Sequence, residues 1–161
     1  MADERALSLE LDIQFALPVS DRLPDQASIE HWVDTVLRME QRGGETHMTI
    51  RIVTEQEGAE LNEAYRGKNG PTNVLSFPYE GVGEVIVPLL GDIVICEPVV
   101  MREAGQQGKE HEAHWCHMVV HGVLHLLGYD HLKEEEAIDM ENREIKILES
   151  IGFSNPYKLG V

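Results

Sequence analysis

His121-Gly-Val-Leu-His125-Leu-Leu-Gly128-Tyr-Asp-His131 is the stretch from which the rest of the chain can be read. Two imidazoles four positions apart fall on one face of a helix, one turn above the other. Gly128, three residues further on, can take the left-handed turn that ends a helix. The chain can then double back and bring a third imidazole to the same point. Three neutral nitrogens meeting there predict a zinc site with one coordination position left for water.

Outward from this stretch, Lys109–Leu127 reads as a long helix and Glu134–Ile151 as a final one. Towards the N-terminus, Leu9, Leu11, Ile13 and Phe15 alternate at period two, which predicts a strand over 8–15 with one buried face. From Asp25 to Arg42 the apolar positions Ile29, Trp32, Val33, Val36 and Leu37 follow helical spacing, and Gly43-Gly44 ends the run. Met48, Ile50 and Ile52 alternate again. Thr54 and Glu57 have the spacing of a capping box, opening a helix that closes near Gly67. Asn73–Phe77 and Asp92–Cys96 are short apolar runs bounded by Pro and Gly, read as central strands, with a short helix over 98–106. The pattern predicts an α/β (α+β) fold in one domain over 1–161, a small mixed sheet of about four strands covered by about five helices. It leaves the strand order open.

With 161 residues and 42% hydrophobic content, the chain is long enough to bury a substantial core. No uninterrupted apolar stretch approaches eighteen residues, so no membrane span is predicted. The acidic start Met-Ala-Asp-Glu-Arg is unlike a secretory signal. Cys96 and Cys116 form no metal-type pair and read as small buried side chains of a cytoplasmic protein. The net charge of −16 argues against broad affinity for nucleic acid, so a polyanionic substrate would need a local positive site.

Of eight histidines, six fall within 111–131, and they cannot all serve one ion. His117, His121 and His125 share a helical face, but 117 and 125 are about 12 Å apart along the axis, too far to reach one ion bound at about 2.0–2.1 Å. The pair nearer the Gly128 turn can be completed by His131, which makes His121, His125 and His131 the expected ligands. His117 is then a cleft residue, or one that supports a ligand. His31, His47 and His111 read as ordinary surface residues, and His114 is left open. The H-x-x-x-H-x-x-G-x-x-H spacing is that of metzincin peptidases, which carry a Glu base directly after the first His. Here that position is Gly122, which cannot take a proton.

A second stretch, Tyr65-Arg66-Gly67-Lys68 followed by Pro71-Thr72-Asn73-Val74-Leu75-Ser76-Phe77-Pro78, sets two cations beside a Gly/Pro turn in a strongly acidic chain. Together with His121-Gly-x-Leu-His125-Leu-x-Gly128-Tyr129-Asp130-His131, and with Gly91-Asp92-Ile93 between them, it resembles the YbeY family of bacterial rRNA-maturation endoribonucleases. The resemblance implies a zinc-dependent nuclease specific for single-stranded RNA. It implies action in 3′-end maturation of small-subunit rRNA and late ribosome quality control, with small-subunit ribosomal particles and the GTPase Era as partners. It also ties Arg66 to activity, alongside His121, His125 and His131. Lys68, Asn73 and Ser76 are expected in the RNA cleft, and Tyr129 and Phe77 would stack on bases if exposed. Asp130 would either orient an imidazole or build its loop. Two other readings stay open, a metzincin-like peptidase, disfavoured by Gly122, and a non-catalytic ribosome-assembly factor whose zinc only pins the last helices.

Overall fold

The computed structural model describes residues 4–80 and 88–157. Four strands form one mixed sheet in the order β1-β2-β4-β3, and five helices accompany it. The alternating segments become β1 (Leu7–Phe15) and β2 (Gly44–Val53), which run parallel with α1 (Gln26–Met39) between them in sequence. Asp25 caps α1, its Oδ1 accepting from the Ser28 amide at 2.7 Å. Thr54 caps α2 (Glu55–Arg66) by accepting from the Glu57 amide. The Glu57 carboxylate does not reach back to complete a capping box. It pairs with Arg51 of β2 at 2.6 Å instead.

The expectation of two central strands is half right. β4 (Leu89–Cys96) is central, parallel to β2 on one side and antiparallel to β3 on the other. β3 (Val74–Pro78) is an edge strand. Both runs are short and apolar in sequence, but β4 is buried on both faces while in β3 only Leu75 is buried. Ile93 and Ile95 of β4 enter the main core, whereas Val94 and Cys96 join Leu75 and Val53 in a smaller cluster on the opposite face. Pro78 marks the difference, since a proline cannot donate to a ladder and is tolerated at an edge.

α4 (His111–Leu126) runs through the main core, with Trp115, Cys116, Val119, Val120, Val123 and Leu124 all buried. It packs on the sheet and on α1, α3 (Glu97–Gln107) and α5 (Glu134–Ile151). Gly122 permits the close approach to the sheet. A Cβ there would lie 3.0 Å from Ile93 Cδ1 and 3.1 Å from its Cγ2.

β2 and β4 change register between His47 and Met48, and Gly91 takes up the irregularity with φ +147°. A Cβ at Gly91 would stand 2.4 Å from the Phe77 carbonyl oxygen and 2.9 Å from Leu126 Cδ2. The backbone conformation alone costs an ordinary residue about 1–3 kcal/mol, and the carbonyl cannot swing away without breaking the β3–β4 ladder. Gly91→Ala is therefore expected to lower stability by about 3 kcal/mol or more. Urea unfolding should show the midpoint falling at an unchanged slope.

Candidate metal centre

α4 ends as the glycine predicts. Gly128 has φ +103°, its amide bonds to the His125 carbonyl, and the Tyr129 amide reaches back to the Leu124 carbonyl. The reversed chain is then pinned at Tyr129. The phenol donates to Glu40 of the α1 C-cap at 2.6 Å, and the Arg143 guanidinium of α5 lies 4.6 Å over its ring while also bonding Glu40. Asp130 Oδ1 accepts from the His131 amide at 2.7 Å, so its side chain helps to build the loop.

This loop returns His131 to the end of α4. His121 Nε2 and His125 Nε2 stand 3.0 Å apart, and the His131 ring centroid is 5.6 Å from that of His121 and 5.1 Å from that of His125. One nitrogen from each ring lies within 4.8 Å of the other two. Two nitrogens bound tetrahedrally at about 2.0–2.1 Å would be roughly 3.3 Å apart. The separation already present thus fits a shared cation, and this group could hold a metal ion. His121 and His125 are half-buried and His131 is exposed, so the point of convergence opens to solvent on one side. Burial first, and then the neighbouring His121 and His131, push the His125 pKa down towards the neutral form that a metal requires.

Sequence reasoning missed what lies behind these rings. Glu144, on α5, is fully buried, and its Oε1 is 2.9 Å from His121 Nδ1 and 3.1 Å from His117 Nε2. Tyr157 donates its phenol to Glu144 Oε2 at 2.7 Å. Burial alone would raise the Glu144 pKa, but hydrogen bonds with His117 and His121 outweigh it and hold the carboxyl down at about 2. The sequence did contain a signal. Met140, Glu144, Ile147 and Leu148 form the buried stripe of α5, so a glutamate occupies a core position of an amphipathic helix. A parallel arrangement serves His114, whose Nε2 meets Glu103 at 2.9 Å.

Arg66 lines the same cleft as the histidines. It is the last residue of α2, and Gly67 turns the chain away, leaving the guanidinium to donate to the Ser76 carbonyl at 2.9 Å and to sit 5.3 Å over the Phe77 ring. Arg66, Lys68, Asn73, Ser76, His121, His125 and His131 all line one cleft of about 1100 Å³. Ser76 donates its hydroxyl to the Gly122 carbonyl at 3.3 Å, tying β3 to α4. The Asn73 amide is taken up by Glu103 at 3.1–3.2 Å, and its Oδ1 accepts from the Val74 amide. A cation already occupies one face of each aromatic, Arg143 over Tyr129 and Arg66 over the half-buried Phe77, which Tyr65 meets edge-on. Cys116 is fully buried in the core and does not line this cleft, and burial raises its thiol well beyond the ordinary range.

The model of the endoribonuclease YbeY family matches residues 19–152, which include α1, both signature stretches, the three histidines and Glu144. The chain belongs to this family. Membership gives a hydrolase acting on RNA, with a nuclease role in rRNA maturation. The fold agrees with the solution structure of TM1509 from Thermotoga maritima, which is 28% identical, with 88% of this chain and 89% of that one covered at a TM-score of 0.61. No helix among the described residues is long and apolar enough to cross a membrane.

Proposed function

We propose that this chain acts as a zinc-dependent endoribonuclease on single-stranded RNA, as a single domain over residues 1–161. Its work is 3′-end maturation of small-subunit rRNA and late ribosome quality control, in the cytoplasm. Small-subunit ribosomal particles are its partners, with the GTPase Era as a further one. The observation that carries this reading is the cleft itself, lined by both the trio of imidazoles and an anchored arginine.

When bound, the zinc ion supplies a Lewis acid for a phosphate oxygen and lowers the pKa of a water towards neutrality. His121, His125 and His131 hold it as neutral ligands, which leaves its full charge available to an anion. Arg66 presents a planar, permanently charged fork to the phosphate, held ready by the Ser76 carbonyl and the Phe77 ring. Lys68 adds a second positive charge on the same side. The Ser76 hydroxyl keeps lone pairs able to accept from a ribose hydroxyl. Asn73, engaged with Glu103 and the Val74 amide, shapes the rim of the RNA path. Against an exterior of net charge −16, these cations focus RNA binding on the cleft.

The peptidase alternative needs a carboxylate directly after the first histidine. Gly122 carries no side chain to act as that base, and a Cβ there would already press on Ile93 at 3.0 Å. The deciding experiment compares single-stranded RNA, duplex RNA of the same sequence and casein, using protein stripped of metal and protein reloaded with Zn²⁺. Single-stranded RNA should be cut by the reloaded protein, with casein untouched. Full RNA cleavage by stripped protein, or proteolysis of casein, would overturn the proposal.

A further inference from the structure

A carboxylate with no exposed surface is costly to keep ionised unless its partners compensate for the water it has lost. Glu144 has three such partners. They are His121 Nδ1 at 2.9 Å, His117 Nε2 at 3.1 Å, and the Tyr157 hydroxyl at 2.7 Å from one oxygen and 3.1 Å from the other. As an ionised carboxylate, Glu144 can only accept, so each contact requires a proton on the partner atom.

That requirement dictates the state of the His121 ring. A neutral imidazole carries one N–H, and a proton on Nδ1 leaves Nε2 with the lone pair. Nε2 is the atom that stands 3.0 Å from His125 Nε2 at the point where the three rings converge. The same reasoning gives His117 an Nε2–H and a bare Nδ1, and that Nδ1 is buried with no hydrogen-bond partner among the described residues. His117 is thereby spent on Glu144 and does not compete for the ion. Tyr157 holds the second carboxylate oxygen and keeps the group from rotating away from His121.

We propose that Glu144 is a positioning residue that fixes His121 as its Nδ1–H tautomer and aims the Nε2 lone pair into the cleft. Its role in metal binding rests on the reading that His121, His125 and His131 hold a cation, whereas its hold on the tautomer does not. The arrangement places the support for a ligand of α4 on α5, so ligand geometry depends on the packing of these two helices.

Two measurements test this. Long-range proton–nitrogen NMR on metal-free wild type reports which His121 nitrogen bears hydrogen. Chelator competition gives the Zn²⁺ affinity of wild type and Glu144→Gln, a variant of nearly the same volume. The wild-type ring should be protonated at Nδ1, and the ring of the variant should lose that single tautomer. Zn²⁺ binding to the variant should weaken by roughly 10–100-fold, the usual cost of removing a carboxylate behind a metal-bound histidine. A purely structural clamp between the helices would leave the tautomer unchanged.

An Nε2–H ring in wild type would overturn the inference, as would a variant that binds Zn²⁺ as tightly as wild type. If the variant does not fold, the wild-type spectrum decides alone. If wild type shows the Nδ1–H ring yet binds no Zn²⁺, the tautomer assignment stands and the metal reading fails.

Discussion

His125→Ala is expected to abolish high-affinity metal binding and RNA cleavage together while leaving the fold intact. Four-ligand protein sites bind zinc with about 10–16 kcal/mol, or roughly 2.5–4 kcal/mol per ligand. Losing one of three imidazoles should then weaken binding on the order of 10²–10³-fold. His125 is the most informative of the three to remove. Its ring centroid is 4.5 Å from that of His121 and 5.1 Å from that of His131, and no carboxylate hydrogen-bonds to it among the described residues. Its truncation disturbs only the mouth of the cleft, since the core face of α4 is carried by Trp115, Val119, Val123 and Leu124.

Thermal unfolding separates the two effects. Zn²⁺ at 100 times its Kd should stabilise wild type by about 2.7 kcal/mol and the variant by about 0.4 kcal/mol or less at the same concentration. The two metal-free proteins should melt within a few degrees of each other. A variant that kept its zinc-dependent shift would show that His125 is no ligand, and retained cleavage without metal would show that the ion does no chemistry.

The parts of this fold that were legible in the sequence are those set by neighbouring residues. Period-two alternation gave β1 and β2, and the spacing of Ile29, Trp32, Val33, Val36 and Leu37 gave α1, because a half-buried element writes its own period into the chain. The two short runs at 74–78 and 89–96 carried no such period. Their apolar residues read alike, and Pro78 at the end of β3 was a local sign that it would be the edge and β4 the centre. The centre divides in the same way. The histidine trio was legible because all three residues lie within eleven positions and one helical turn relates two of them. Glu144 and Tyr157 reach the site from 23 and 40 residues away from the histidines they contact, joined only by tertiary packing. The buried stripe of α5 still held the clue, since a glutamate among Met140, Ile147 and Leu148 must have a partner.

Arg66→Ala is the complementary experiment, expected to keep the metal and lose the rate. The hydrogen bonds of Arg66 go to the Ser76 and Tyr65 carbonyls and not to the three histidines, so removing it leaves the histidine trio as it stands. Zn²⁺ affinity should stay within about twofold of wild type, a difference of roughly 0.4 kcal/mol. Cleavage should fall by about 10²–10³, which matches the 2.7–4 kcal/mol that a donor to a developing anionic charge typically supplies. Arg66→Lys separates charge from shape. A lysine keeps the positive charge but has no fork to span the Ser76 carbonyl and a phosphate at once, so its rate should lie between those of wild type and the alanine variant. If lysine restored full activity, the guanidinium plane would be irrelevant and only local potential would matter. If alanine cost nothing, the arginine would have no part in catalysis, and the case for phosphodiester cleavage in this cleft would rest on the metal alone.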